Sequence, residues 1–305
     1  MDQLKQPIIN ILFPCNWRDY ELIDSGNGEK LESFANNTII RPAPQAVWSP
    51  ALSQKEWQSA NYYYLPGKEG SDDRWQLQNK QSRPSWLMHY NKLTFQLSIS
   101  NSRHVGVFPE QATQWDWIMQ KIEQAKRPIR VLNLFGYTGI ATLAAASAGA
   151  QVTHVDALHK SILQGRQNQE LSAMNDAPIR WIVDDAVKFV QREVRRQSKY
   201  DALILDPPKF GRGPKGEVWE IFKLLPYLLD QCCQILSENL CFIVLTAYAI
   251  QISALSLFYS LDSISTKLGG TISCGELTLK EKIGGRNLSM AIYARWSSKE
   301  NNHDR

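Results

Sequence analysis

At 305 residues the chain is long for one compact domain and suits one large α/β unit with a smaller appendage. Hydrophobic content of 43% and charged content of 21%, with no apolar run of bilayer length, exclude a disordered chain and one crossing a membrane by helices. The net charge of +4 tolerates nucleic acid without requiring it. The first residues lack the charged-then-apolar layout of a secretory signal. Five cysteines (Cys15, Cys232, Cys233, Cys241, Cys274) form neither a CxxC pair nor an even set. The sequence therefore predicts a cytoplasmic protein without a metal centre, a disulfide framework or a membrane partner.

Residues 1–110 read as a small, mainly β domain in which short strand-like pieces are broken by turn residues, at 24–29 and 66–70 among others. Its aromatics, Trp48, Trp57, Tyr62, Tyr63, Tyr64, Trp75 and Trp86, read as filling a thin core, with a base-stacking surface as the alternative. Trp115, Ile118, Met119 and Ile122 recur at helical spacing, which predicts a linker helix over 111–128. Over 129–297, strands at 131–135, 152–156, 179–183, 202–205 and 240–246 alternate with helices at 140–148, 161–174, 186–196, a long one ending near 236, and 254–261. Such alternation predicts a Rossmann-like, mostly parallel sheet with helices on both faces, and the last two strands, 275–279 and 289–296, predict an antiparallel closing hairpin. Residues 280–287 read as its glycine-bearing connection, and 298–305 as a polar, frayed tail.

Two strand ends carry the chemistry. The run 131–135 opens into Phe135, Gly136, Tyr137, Thr138 and Gly139, a turn that brings backbone N–H groups and a helix N-terminus against a polar ligand. About 20 residues on, the next strand ends in Asp156, placed to grip ribose hydroxyls or to cap a helix. The third ends in Asp184 and Asp185, and Asp185 suits an exocyclic adenine amine as well as the N-cap of the helix starting at Ala186. The fourth runs into Asp206, Pro207, Pro208, Lys209 and Phe210. Two prolines fix φ and leave carbonyls outside any ladder, and an aromatic follows that suits stacking on a planar ring. Lys209, Arg212 and Lys215, interleaved with Gly211, Gly213 and Gly216, read as a mobile basic rim. Lys188, Arg192, Arg195, Arg196 and Lys199 read as a solvated helix face, with nucleic-acid contact as the alternative.

In this order the residues resemble the class I S-adenosylmethionine-dependent methyltransferases over 130–296. The stretch from Asn133 through Gly139 looks like that family's first motif, Asp156 its ribose acid, Asp185 and Ala186 its adenine-site pair, and Asp206 to Phe210 its catalytic loop. More narrowly, the chain is similar to the branch containing large-subunit ribosomal RNA methyltransferases that modify cytosine C5 or guanine N7. That resemblance implies S-adenosyl-L-methionine as cofactor and RNA as substrate, with Phe108 and Gln111 helping to enclose the cofactor. One departure follows: where the cytosine-modifying members carry a cysteine after the fifth strand, this chain has Thr246, Ala247 and Tyr248. Cytosine C5 needs thiolate addition to become nucleophilic, so the expectation is methylation of a base nitrogen. A protein or small-molecule acceptor, a non-catalytic RNA-binding scaffold, and a nicotinamide-dependent oxidoreductase are the alternatives. The last lacks the third glycine of GxGxxG.

Overall fold

The computed structural model describes residues 6–15, 17–67, 74–78, 83–100, 102–248 and 250–298. Residues 68–70 of the expected 66–70 turn, and 299–305 of the expected tail, lie outside that set. The chain forms two compact units, one of residues up to Leu12, Thr113–Leu277 and Met290 onward, the other of Phe13–Ala112 and Thr278–Ser289. This differs from a boundary near 110 at both ends of the sequence.

In the first unit an eight-stranded sheet runs in the order Ile9–Leu12, Thr271–Lys280, Asn287–Ser297, Phe242–Tyr248, Ala202–Leu205, Arg130–Leu134, Gln151–Asp156, Ile179–Val183. The strands from Phe242–Tyr248 to Ile179–Val183 pair in parallel, and Asn287–Ser297 pairs antiparallel with Phe242–Tyr248. Ile9–Leu12, which has no period of its own to announce it, pairs in parallel with Cys274–Leu277 at the edge.

The central strands read as continuous apolar runs because helices cover both faces. On one face Leu132, Leu134, Leu203, Leu205, Ile243 and Leu245 pack with Phe189 and Val190 of helix Ala186–Arg195 and with Leu225 and Leu228 of helix Ile221–Gln234. On the other, Val131, Ile204, Phe242 and Val244 meet Ile118 and Ile122. Those two belong to helix Ala112–Ala125, so the expected linker helix is an integral layer of this unit. Truncating a side chain as buried as Leu228 costs about 3 kcal/mol.

The second unit carries a five-stranded sheet, Tyr20–Gly26, Glu29–Phe34, Asn37–Pro42, Tyr62–Leu65 and Arg74–Leu77, with a separate hairpin, Ser85–Tyr90 and Leu93–Ser98. Asn27 and Gly28 turn the first pair with φ of 54° and 79°, the two left-handed residues that a tight hairpin requires. Of the seven aromatics, Trp57, Tyr62 and Tyr64 are buried and the others half-buried. Tyr62 stacks on Trp86 at 6.1 Å and Tyr64 meets Trp75 edge-on at 5.1 Å. These ring contacts are those of a thin core. Glu32, fully buried, accepts from Tyr20 Oη at 2.9 Å, Lys30 Nζ at 3.0 Å and Arg41 Nε at 2.8 Å, the pairing that a buried carboxylate demands. The segment read as a plain connection is an anchor here. Glu281 accepts from Ser25 and from Arg286 Nε, and Arg286 Nη2 reaches Asp24 at 3.3 Å while its guanidinium lies 5.4 Å from the Trp48 ring.

Candidate active site

Strand register sets the site. The Arg130–Leu134 strand has Gln151–Asp156 on one side and Ala202–Leu205 on the other, so chain order reverses direction across the sheet at that point. Such switch points are where open α/β sheets bind ligands, beyond the strands' carboxyl ends. Leu134 pairs with Val155 and with Leu205, so Phe135, Asp156 and Asp206 emerge at one level. Asp156 pairs with Val183, and Asp184 N–H donates to the Asp156 carbonyl at 3.0 Å, which brings Asp184 and Asp185 to the same end.

The turn after Leu134 is strained. Phe135 and Tyr137 adopt φ of 59° and 50°, left-handed values that cost side-chain-bearing residues energy, and Gly139 follows at 82°. The turn is held by its own bonds, Gly136 N–H to the Val155 carbonyl at 3.2 Å and Gly139 N–H to the Gly136 carbonyl at 3.0 Å, and helix Ile140–Ser147 starts behind it with Gly139 as N-cap and no side-chain cap. Gly139 is required twice: besides its φ, a Cβ would lie 2.6 Å from the Trp181 ring. At Gly136 the reason is space alone, because a Cβ would lie within the His154 ring's contact shell. Below the turn, Asn133 Nδ2 donates to Thr142 Oγ1 at 2.8 Å. The Thr142 hydroxyl in turn meets His154 Nδ1 at 2.8 Å. Burial drives the His154 pKa down to about 3, which keeps it neutral. Asn133 is 1% exposed; its observed bonds support the turn from behind.

Asp156 accepts from Tyr137 N–H and Leu158 N–H, each at 2.9 Å, one on each carboxylate oxygen. Each oxygen retains a lone pair for a ribose hydroxyl. Burial raises its pKa against those two bonds. Asp185 caps helix Ala186–Arg195 by accepting from Lys188 N–H at 2.9 Å, and Ala186 is buried behind it. The strained turn, the uncapped helix N-terminus and the paired acids fit a ligand with an adenosine-like and a charged end.

Asp206 and Lys209 are half-buried, Pro207 is buried, and Pro208 and Phe210 are exposed, Phe210 by 59%. The two proline carbonyls are not equivalent: that of Pro208 accepts from Trp219 Nε1 at 2.7 Å, leaving that of Pro207 for an acceptor. The Trp219 ring also contacts Phe135 at 4.8 Å, tying the 206–210 loop to the 135–139 turn. No periodicity or spacing announced Trp219, His154 or Trp181; each acts through packing made elsewhere in the chain.

The expected mobile rim is an ordered hairpin, Phe210–Arg212 paired with Val218–Glu220, and the long helix begins only after it, at Ile221. Lys188 binds Glu217 at 2.5 Å, Arg192 binds Asp184, Arg196 binds Glu193 and Lys199 binds the Gln234 carbonyl. The basic helix is thus largely compensated within the fold. Ala247, where a thiol would stand, is buried. Cys232 is buried in a helix with its thiol pKa raised, and Cys241 precedes its strand at the opposite end of the sheet. Phe108 and Gln111 lie in the second unit, flanking and ending the 3-10 turn Pro109–Gln111. Among the described residues no cluster suits a metal ion and no helix is long and apolar enough to cross a membrane.

Comparison with known proteins agrees with this geometry. The sequence profile of S-adenosylmethionine-dependent methyltransferases matches residues 47–238. A crystal structure of the SAM-dependent methyltransferase from Agrobacterium tumefaciens is 44% identical, with a TM-score of 0.92 over 96% of this chain and 94% of that one. A putative methyltransferase complexed with SAH shares the fold at 18% identity and a TM-score of 0.67, over 88% of this chain and 71% of that one. The chain is also 38% identical over 82 residues to "Ribosomal RNA large subunit methyltransferase I" of Escherichia coli, 27% of this chain and 21% of that protein. It is 29% identical over 125 residues to the protein of the same name from Aeromonas salmonicida, 41% of this chain and 31% of that one. It therefore spans less than a third of these curated relatives. With a profile covering more than half its length and a near-full-length relative of the same kind, the chain belongs to the S-adenosylmethionine-dependent methyltransferase family.

Proposed function

We propose that the enzyme methylates a base nitrogen of RNA, in the first instance ribosomal RNA, without a covalent cysteine intermediate. The observation that carries this reading is the loop beyond strand Ala202–Leu205, where the half-buried Asp206, the Pro207 carbonyl and the exposed Phe210 follow one another and the buried Ala247 stands where a thiol would be needed. The cofactor, when bound, supplies a methyl group activated on a sulfonium. Asp156 holds the ribose hydroxyls, Asp185 receives the adenine amine, and the N-terminus of helix Ile140–Ser147 behind the 135–139 turn faces the polar end of the ligand. Phe210 stacks on the acceptor base. Asp206 and the Pro207 carbonyl accept its N–H groups, orienting the nitrogen lone pair and drawing off the proton that a nitrogen loses on alkylation. Positioning supplies most of the rate for a nucleophile that already has its electron pair. The short similarity to ribosomal RNA large subunit methyltransferases favours ribosomal RNA, and five free cysteines favour a reducing cytoplasm.

The test is turnover on protein-free ribosomal RNA by Phe210→Ala and Phe210→Tyr. The alanine variant is expected to lose about 100-fold in kcat/KM and the tyrosine variant to stay near wild type, the scale of a lost stacking contact of ~1–3 kcal/mol per base. Unchanged turnover in Phe210→Ala would remove this assignment.

A further inference from the structure

The hairpin after the catalytic loop has two unlike faces. Phe210 pairs with Glu220, Gly211 with Trp219 and Arg212 with Val218, so Gly211 and Trp219 share the inward face and Phe210, Arg212, Val218 and Glu220 the outward one. Trp219 is 3% exposed, whereas Phe210 and Val218 are 59% and 63% exposed, two apolar side chains presented diagonally on a short, ordered ribbon. Its order has named causes: the Trp219 indole bond to Pro208, the Gly213 N–H bond to the Glu217 carbonyl at 2.8 Å, and the Lys188–Glu217 ion pair. Both acids of the hairpin are compensated, Glu217 by Lys188 and Glu220 by Lys223 at 2.5 Å. Arg212 and Lys215 make no ion pair among the described residues, and Lys209 Nζ lies 5.6 Å from the Phe210 ring. The outward face therefore joins Phe210 and Val218 with the uncompensated cation Arg212 and a Glu220 neutralised by Lys223, and it is continuous with the acceptor residue Phe210.

We propose that this face is a platform for the single-stranded nucleotides flanking the acceptor base. With the acceptor base on Phe210, the next base lies against Val218, and Arg212 and Lys215 neutralise the phosphates beside them. Such a surface stacks any base and reads none, so it supplies affinity and leaves sequence choice to other contacts. The inference rests on the RNA reading above.

The experiment titrates Val218→Asp, Val218→Ile and Arg212→Ala with protein-free large-subunit ribosomal RNA over a salt series, alongside calorimetry with S-adenosylhomocysteine and thermal melting. Val218→Asp is expected to weaken RNA binding about tenfold while Val218→Ile does not. Arg212→Ala is expected to flatten the log–log salt slope by about 0.7, one single-strand phosphate contact. Cofactor-product affinity and melting temperature stay at wild-type values. RNA binding and salt slope unchanged in Val218→Asp and Arg212→Ala, with the wild type methylating RNA, overturns the platform alone. A wild type that binds no RNA overturns the platform together with the acceptor reading. Hairpin-dependent binding without methyl transfer supports the platform and removes only the acceptor reading. Hairpin-dependent methylation of a protein fraction in place of RNA overturns it in favour of a protein partner.

Discussion

The indole N–H of Trp219 donates to the carbonyl of Pro208 at 2.7 Å, so one hydrogen bond joins the 206–210 loop to the hairpin that follows it and, through the Trp219 ring against Phe135, to the 135–139 turn. Trp219→Phe keeps one aromatic ring, deletes the donor and leaves a small cavity, because Trp219 is 3% exposed. Water replaces the bond at the exposed Pro208, so stability should fall by about 2 kcal/mol, mostly from the cavity. Turnover should fall about tenfold, because a small misplacement of acceptor-holding groups weighs heavily on rate. Melting and steady-state kinetics on the same samples check the split.

Gly139→Ala meets both a left-handed φ of 82° and the Trp181 ring. The expected loss is ~2 kcal/mol or more of stability, together with weaker S-adenosylhomocysteine binding. Gly139→Ala with Trp181→Phe relieves the clash and leaves the strain, so it should recover part of the stability. Full recovery would show that backbone conformation is unimportant at this turn.

Asp185 has two roles that separate by length. Asp185→Ser keeps a capping oxygen for Lys188 N–H and should hold stability within ~0.5 kcal/mol, whereas Asp185→Ala should cost about 1 kcal/mol. Serine is too short to reach an adenine amine from the cap position, so both variants should bind S-adenosylhomocysteine about tenfold more weakly. Calorimetry paired with melting checks this; wild-type affinity in Asp185→Ser would leave Asp185 as a cap only.

Asp156 gives a pH dependence whose sign follows from its environment. Burial raises its pKa above the ordinary 3.8, and the ionised form is the one that accepts ribose hydroxyls. Cofactor affinity is therefore fully present above that raised value and is lost as pH falls through it, at a higher pH than for a solvated aspartate. Donors from the ribose lower the pKa again, so binding in acid should release protons, measurable by calorimetry in buffers of different ionisation enthalpy. Proton uptake, or affinity flat through the acid range, would contradict the role given to Asp156.

Much of the first unit was legible because its strands are covered on both faces and its helices are amphipathic, patterns that survive in a linear reading. The strands 179–183 and 202–205 and the starts of the helices at 140 and 186 stand where periodicity placed them. What failed was set by partners distant in sequence. Ile9–Leu12 is a strand only because Cys274–Leu277 lies beside it. The segment 280–287 looks like a loop until Asp24, Ser25 and Trp48 close around Glu281 and Arg286. The 210–220 hairpin was hidden by its glycines, whose turn is held by Lys188 and Glu217. In the site, Gly139, Asp156 and Asp206 were readable as strand-end chemistry, whereas the supports below them were not. His154 looks like an ordinary strand residue until Gly136 and Thr142 are seen against it.

The acceptor atom decides the account. Protein-free large-subunit ribosomal RNA, incubated with the enzyme and methyl-labelled S-adenosylmethionine and digested to nucleosides, should yield label in an N-methylated nucleoside. Label in 5-methylcytidine, or in protein with none in RNA, would contradict it.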